Sequence, residues 1–198
     1  MLRVRDGDAT AFDELMGRYQ NRLVTVLEHL VGRRDQAEDL AQEVFLRVYR
    51  SRKRYVVGAK FSTWLYTIAN HVAANSQRSM SRRPEVNLQG HESGPLGTNP
   101  LDRLAQAASG QMPTRQADRA ELCDVVRMAL SKLSERQRMA VLLSKFEDMN
   151  YADIAVAMEM SPQAVKSLLS RARVNLREVL EPYYESGTRP EETDADAE

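Results

Sequence analysis

The stretch YADIAVAMEMSPQAVKSLLSRARVNLRE, Tyr151 to Glu178, decides how this chain is read. Asn150 stands where it can cap a first helix running from Tyr151 to about Met158, and Asp153 at the third helical position would complete a capping box. Ser161 is placed to cap a second helix, with Pro162 at its first position, where a missing N–H costs nothing. Only Glu159 and Met160 lie between the two. Helices joined by so short a turn must cross steeply, which makes their contacting residues a matter of geometry. Those residues are apolar or small: Ile154, Ala155, Met158, Met160, Val165 and Leu168. Glu159 occupies the place where such turns often carry glycine, so a left-handed backbone is expected there at a cost of about 1 kcal/mol. The second helix turns Gln163, Lys166, Ser167, Ser170, Arg171 and Arg173 away from that core. A basic, hydrogen-bonding helix face of this kind suits the DNA major groove.

The rest of the chain agrees with a helical reading. Of its 198 residues 28% are charged and 6% aromatic, with few β-branched runs, a composition that suits small helical bundles and an all-α fold. Asp8 caps a first long helix in which Phe12, Leu15, Met16, Tyr19, Leu23, Leu27, Leu30 and Val31 recur at helical steps until Gly32 stops it. Asp35 is expected to start the next helix in a capping box with Glu38. Ala37, Leu40, Ala41, Val44, Phe45, Val48 and Tyr49 form its apolar stripe, opposite Asp39, Gln42, Glu43 and Arg47. A bend at Val57-Gly58-Ala59 leads to a third helix, from Phe61 or Ser62 to about Arg78, expected to bury Trp64, Leu65, Ile68, Ala69 and Val72. Residues 1–80 thus read as a three-helix domain. Residues 81–117, rich in proline, glycine and polar residues, read as a flexible linker with at most a marginal helix from Pro100 to Ala108. A second domain, 118–180, adds helices from Asp118 to Leu130 and after a Ser134/Gln137 capping box. Residues 181–198 read as a disordered acidic tail.

Charge is distributed unevenly. The formal net charge is zero, but residues 181–198 hold seven acids and one base, leaving 27 bases against 21 acids in the body. No Asp or Glu occurs between Glu43 and Glu85. That run carries nine bases, Arg47, Arg50, Arg52, Lys53, Arg54, Lys60, Arg78, Arg82 and Arg83, interleaved with Tyr49, Tyr55, Phe61, Trp64 and Tyr66. Cations that follow a phosphate backbone and rings that stack on unpaired bases are what a single strand requires of a protein. Other functions find little support. Cys123 is the only cysteine, which excludes an internal disulfide, and with His29, His71 and His91 scattered no metal site is expected. There is no phosphate-binding glycine loop, hence no cofactor is expected, and no spacing supports a catalytic Ser-His-Asp or Cys-His arrangement. No apolar run approaches the roughly 20 residues of a membrane span, and a reducing cytoplasm is the expected setting.

Two blocks together resemble a bacterial sigma factor of the extracytoplasmic-function type, a group within the sigma-70 family. The first block is Asp35-Gln-Ala-Glu-Asp-Leu-Ala-Gln-Glu-Val-Phe-Leu-Arg-Val-Tyr49 with Phe61-Ser-Thr-Trp-Leu-Tyr-Thr-Ile-Ala69, which is similar to sigma region 2. The second is Leu133-Ser-Glu-Arg-Gln-Arg138, Tyr151-Ala-Asp-Ile-Ala155 and Ser161-Pro-Gln-Ala-Val-Lys-Ser-Leu-Leu-Ser-Arg-Ala-Arg173, which is similar to sigma region 4. The resemblance implies a region 2 three-helix bundle and a region 4 helix-turn-helix. It implies that Asp39, Gln42, Glu43 and Phe45 bind the β′ clamp helices of core RNA polymerase, with region 4 on the β flap. It implies that Lys60, His71, Asn75 and Arg78 hold the −10 promoter element as single strand, the loop from Val57 to Lys60 lying by a flipped base. Ala164, Lys166, Ser167, Ser170, Arg171 and Arg173 would read the −35 element. An anti-sigma factor is a further implied partner. His71 stands where the family often has asparagine, and Ser134 where it often has proline.

The alternative is a conventional helix-turn-helix regulator with an N-terminal sensor or interaction domain. The acid-free aromatic and basic run argues against it, because a sensor has no use for such a surface.

Overall fold

A computed structural model describes residues 1–56, 58, 60–82 and 113–186. All regular structure among them is helical. Helix α1 is Leu2–Arg5, α2 Ala9–Val31 and α3 Arg34–Ser51; a 3-10 turn Arg52–Arg54 precedes α4, Phe61–Arg82. Then come α5 Pro113–Ser131, α6 Glu135–Lys145, α7 Tyr151–Ala157 and α8 Pro162–Ser186.

Local chemistry sets most of these boundaries. The Asp8 carboxylate accepts from the Ala11 N–H at 3.0 Å, and Gly32 closes α2 at φ 79. Ser134 and Gln137 form the full reciprocal capping box at the start of α6. Asn150 accepts from the Asp153 N–H at 2.8 Å, and Ser161 from the Ala164 N–H at 3.2 Å. Glu159 does adopt the left-handed backbone, at φ 52, and Met160 donates to the Ala155 carbonyl at 2.9 Å, the Schellman closure of a helix end.

Helices α2, α3 and α4 form one bundle. Ala37 and Ala41 let α3 approach α2 closely, so Leu23, Val26, Leu27, Val44 and Val48 are buried between them. Leu65, Tyr66, Ala69, Val72 and Ala73 line the inner side of α4. Around the helix-turn-helix, Met139, Leu142, Leu143, Ile154, Ala155, Val165, Leu169 and Ala172 are buried. Each fully buried leucine or valine contributes about 1.5–3 kcal/mol relative to exposure.

Several expectations are corrected. Helix α3 starts two residues early, with Arg33 at the cap position expected for Asp35; Asp35 instead sits in the first turn and accepts from the Arg33 guanidinium at 3.2 Å. The Asp153 carboxylate does not turn back to complete a capping box but reaches Lys60 at 2.7 Å. Trp64 is only half-buried, and the ring inside the bundle is Tyr66. Leu169, not Leu168, is the inward leucine of α8, because the buried positions follow the steps Val165, Leu169, Ala172. Helix α5 begins at Pro113, in a segment expected to be linker; proline tolerates the first helical position. Helix α8 runs past Pro182, since one proline removes one hydrogen bond without ending a helix that the neighbouring residues continue. The short helix α1, with Val4 buried, was not anticipated. The possible helix at Pro100–Ala108, His91, the bulk of the linker and the tail from residue 187 lie outside the described residues.

The two bundles also pack on each other. Helix α4 meets α7, and α2 meets both α5 and α6. Buried residues of the two form one continuous core cluster. Expected as separate cores on a tether, the domains share a face because apolar residues at the ends of both, Leu30 and Met158 among them, are covered by the other.

Candidate nucleic-acid interface

On α4 the residues Phe61, Trp64, Ile68, His71, Asn75 and Arg78 follow one another at steps of three and four, so they share a face. The first three are half-buried and the last three exposed. Trp64 is braced edge-on by Tyr55 at 5.4 Å and by Phe61 at 6.3 Å, and Phe61 rests on Tyr19 at 5.0 Å. The rings are therefore held in place by packing while part of Trp64 faces solvent, the condition a base needs in order to stack. Lys60 lies at the head of this stripe. Beside it, Arg47, Arg50, Ser51, Arg54, Ile68 and His71 line a hollow with no carboxylate in its walls. The structure thus brings Lys60, His71, Asn75 and Arg78 to one surface. It adds Trp64, Arg50 and Arg54, which the sequence contained but could not orient. The signal for the arginines was the acid-free run itself.

The second candidate surface is on α8. Ala164, Lys166, Ser167, Ser170, Arg171 and Arg173 are all exposed, because the inward face is taken by Val165, Leu169 and Ala172. Arg173 donates to the Tyr151 hydroxyl at 3.3 Å, tying α8 to α7. The Arg171 Nε points back to the Ser167 carbonyl at 3.5 Å, a long contact that leaves the guanidinium available to an outside acceptor.

The third surface is a groove of about 520 Å³ between α2 and α3, lined by Phe12, Met16, Val24, Ala41, Phe45, Leu46 and Tyr49, with Glu38 and Gln42 on its walls. Asp39 and Gln42 are exposed and Glu43 half-exposed, its carboxylate held by Arg47 at 2.6 Å. Phe45 differs from its expected role as a contact residue. It is 5% exposed and stands edge-on to Phe12 at 6.4 Å, so it supports the groove from below. The apolar side chains that protrude are Leu46, 50% exposed, and Tyr49, 41% exposed. A charged helix face beside an apolar trough fits a partner helix.

Between the bundles, among the described residues, lie several polar contacts. The Arg22 guanidinium grips Glu147 at 2.8 and 3.1 Å. Lys60 meets Asp153 at 2.7 Å, and the His71 Nε2 meets Glu159 at 2.9 Å. Arg138 donates to the His29 carbonyl at 3.0 Å while also holding the carbonyls of Leu130, Ser131 and Leu133. Burial raises the Glu147 carboxyl above its ordinary range, against the pull of Arg22. Burial likewise raises the neighbouring Tyr66 phenol. Burial, helped by the cations Arg127 and Arg138, lowers His29 to about 4.

No group of residues that could hold a metal ion occurs among the described residues, and no described helix is long and apolar enough to cross a membrane. The surfaces offer two cationic faces and one apolar groove with a polar wall in which Arg34 pairs with Glu38.

Comparison with known proteins assigns these surfaces to a family. Residues 15–83 match the family Sigma-70 region 2, and residues 123–176 match Sigma-70, region 4. The chain is 32% identical over 182 residues to the RNA polymerase sigma-H factor of Pseudomonas aeruginosa, covering 91% of each chain. It is also 32% identical over 183 residues to the ECF RNA polymerase sigma-E factor of Haemophilus influenzae, covering 91% of this chain and 93% of that one. The fold resembles the sigma factor RpoE in its complex with the anti-sigma factor NepR from Bartonella quintana, with a TM-score of 0.66 at 22% identity, over 87% of this chain and 98% of that one. Both halves of the match fall on the two bundles that carry the cationic faces, in the order expected from the sequence. The chain belongs to the sigma-70 family, as an extracytoplasmic-function sigma factor that directs RNA polymerase to promoters for initiation.

Proposed function

We propose that the work of this sigma factor is divided among the three surfaces. Residues 1–80 act as region 2. The α2–α3 groove, with Asp39, Gln42 and Glu43 on its rim and Phe45 beneath, takes the β′ clamp helices of core polymerase. The α4 stripe, with Lys60, His71, Asn75 and Arg78, holds the −10 element as single strand, and Trp64 offers a ring for stacking. Residues 118–180 act as region 4. Ala164, Lys166, Ser167, Ser170, Arg171 and Arg173 face the −35 duplex, and the same region meets the β flap.

The observation that carries this reading is the contrast between the two cationic faces. One is polar and protruding, as duplex reading requires. The other combines cations with braced, part-exposed rings, as single-strand binding requires. A conventional regulator needs only the first. The protein acts in the bacterial cytoplasm by binding, with no chemistry of its own, and is restrained by an anti-sigma protein. The solved RpoE–NepR complex, whose sigma factor shares this fold, supports that partner class.

The test is reconstitution. Purified chain added to core polymerase should yield specific transcripts from promoters selected out of a random library, and Lys60→Ala with Asn75→Ala should block strand opening while leaving binding to the −35 duplex intact. Core polymerase that gains no promoter preference from the chain would overturn the reading.

A further inference from the structure

The cations of α8 have no charge partner in the two bundles. Lys166, Arg171 and Arg173 stand on its exposed side, and among the described residues none of them meets a carboxylate. Arg173 reaches the Tyr151 hydroxyl, and Arg171 the Ser167 carbonyl at 3.5 Å. Other exposed bases are treated differently: Arg18 faces Glu14, Arg47 faces Glu43, and one turn further along α8 itself Arg177 faces Glu181 at 3.6 Å. Carboxylates suited to the three cations occur further along the sequence. Residues 191–198 read Glu-Glu-Thr-Asp-Ala-Asp-Ala-Glu, five acids without a base. From Glu192 the acids fall at every second position, with Thr193, Ala195 and Ala197 between them. In an extended chain alternate residues share a side, about 6.6 Å apart. That is close to the rise of about 6 Å between helical residues four apart, so one edge of the segment can follow one side of a helix.

We propose that in the free chain residues 191–198 bind along α8, their carboxylates taking the places on Lys166, Arg171 and Arg173 that a −35 duplex takes in the complex. This rests on the assignment of that face to the −35 element made above. The contact is ionic and exposed, hence weak and dissolved by salt. Every duplex must displace the segment, so affinity falls by one common factor for all of them. Preference among sequences is untouched, and occupancy of chance DNA by the free chain is reduced.

Reach and charge support the same occupant. Helix α8 ends at Ser186. Arg173 and Lys166 lie about 20 and 30 Å back along its axis at 1.5 Å per residue. A chain that reverses at Gly187 and advances about 3.3 Å per residue places Glu191 about 17 Å and Glu198 about 40 Å along that same axis. The acidic run therefore overlies the interval that holds all three cations. Glycine directly after a helix is the residue that most readily permits the reversal. The formal net charge is zero only because residues 181–198, with seven acids and one base, offset 27 bases against 21 acids in the body. Two bases of the α4 stripe, Lys60 and His71, already meet carboxylates of the second bundle; those of the α8 face do not.

The contact can be read on the full chain. A carbodiimide joins an amine to a carboxylate only when they touch, so the free protein should yield a peptide that links Lys166 to the 191–198 segment. A fluorescent duplex carrying the −35 element of a selected promoter should suppress that link. In parallel, the segment is neutralised by Glu191→Gln, Glu192→Gln, Asp194→Asn, Asp196→Asn and Glu198→Gln. This variant should bind that duplex and a scrambled one about threefold to tenfold more tightly at low salt, by the same factor for both, with unchanged circular dichroism. The gain should shrink as salt rises. Absence of the Lys166 link, its persistence on bound duplex, or equal duplex affinity of variant and parent would overturn the proposal. Links that fall on Lys53 or Lys60 instead would place the segment on the first bundle and overturn it as well. The underlying assignment is tested separately, by Lys166→Ala with Arg171→Ala in the neutralised background. Unchanged duplex binding there would remove α8 from the −35 element. Weakened duplex binding there, with no Lys166 link in the parent, would leave the assignment standing and strike the segment alone.

Discussion

On α8 the side chains proposed to face DNA stand clear of the protein on a helix whose inner face is locked by Val165, Leu169 and Ala172. On α4 the corresponding stripe begins in half-buried rings and ends in exposed polar groups, and Lys60 and His71 on it meet carboxylates of the other bundle. Both are basic helices in small bundles, yet they are built for different targets. A duplex presents base edges at the bottom of a groove, so the reader must protrude. A single strand presents ring faces and a flexible backbone, so its holder must be a platform fixed from behind. The platform has a liability that the protruding helix lacks: it is broad and partly apolar, and the other bundle can pack over it.

The largest effect separates both DNA faces from the polymerase groove. Gln42→Lys with Glu43→Lys places two cations on the surface proposed to meet core polymerase. Like charges set against a basic partner cost several kcal/mol, so co-purification with core enzyme should be lost while helicity and binding to a −35 duplex persist. Retention of core enzyme would move the contact away from α3.

Next in size is the contrast between two neighbouring rings on α4. Tyr66 is fully buried, so Tyr66→Ala should destabilise the fold by about 3–5 kcal/mol, read in urea unfolding. Trp64 is braced but part-exposed, so Trp64→Ala should leave a folded protein and instead weaken promoter opening by the worth of one stacked base, about 1–3 kcal/mol. Equal loss of stability in the two variants would return Trp64 to the core and remove the ring from the platform.

This pair also shows how far the sequence carries. Helical periodicity placed α2, α3, α4 and the helix-turn-helix within a few residues. Caps at Asp8, Ser134, Asn150 and Ser161 were legible because a side-chain oxygen three residues before an unpaired N–H is a local event. The left-handed Glu159 was legible for the same reason. What could not be read was rotation about a helix axis: Trp64 against Tyr66, Leu168 against Leu169, and Phe45, which the family pattern assigns to contact and the packing sends inward. Those choices depend on which neighbour arrives on which side. The partnership of Asp153 with Lys60, 93 residues away, lies beyond any local signal. So does the burial of Glu147, a carboxylate that composition places on the surface.

A smaller effect is pH-dependent and comes from the seam between the bundles. His29 packs against Phe146 at 6.2 Å and is held at about 4 by burial, with Arg127 and Arg138 adding to it. In the unfolded chain an imidazole titrates near 6.5, so the unfolded state takes up the proton first. The stability tied to neutral His29 is therefore fully present above about pH 6.5 and is lost as pH falls toward 4. Between pH 7.5 and pH 5 the loss should be about 2 kcal/mol. Glu147 acts in the opposite sense, since its raised carboxyl favours the docked state when protonated, and this offsets part of the loss just above its ordinary range. His29→Gln should flatten the wild-type slope between pH 6.5 and 5 in urea titrations. An unchanged slope would place the titrating group elsewhere.

The most local effect tests the proposed reading helix itself. Lys166 and Arg171 are five residues apart, about 140° around α8, so they border a face centred on Ser167 and Ser170. Arg171 holds only a long contact to the Ser167 carbonyl, so little is lost when it turns toward DNA. Arg173 is tied to Tyr151 and serves better as a backbone contact from a fixed position. If Arg171 grips a guanine, Arg171→Ala should cost about 1–3 kcal/mol and relax preference at one −35 position. If it grips phosphate, binding should weaken evenly across sequences, and the salt dependence should fall by about one ion. Arg173→Ala should show the second pattern in either case. A set of single-base −35 variants, each measured at two salt concentrations with both mutants, separates the outcomes. Unchanged affinity and unchanged preference at every position for Arg171→Ala would show that this end of α8 does not face the groove, and the rotation of the whole helix against the duplex would have to be redrawn around Lys166.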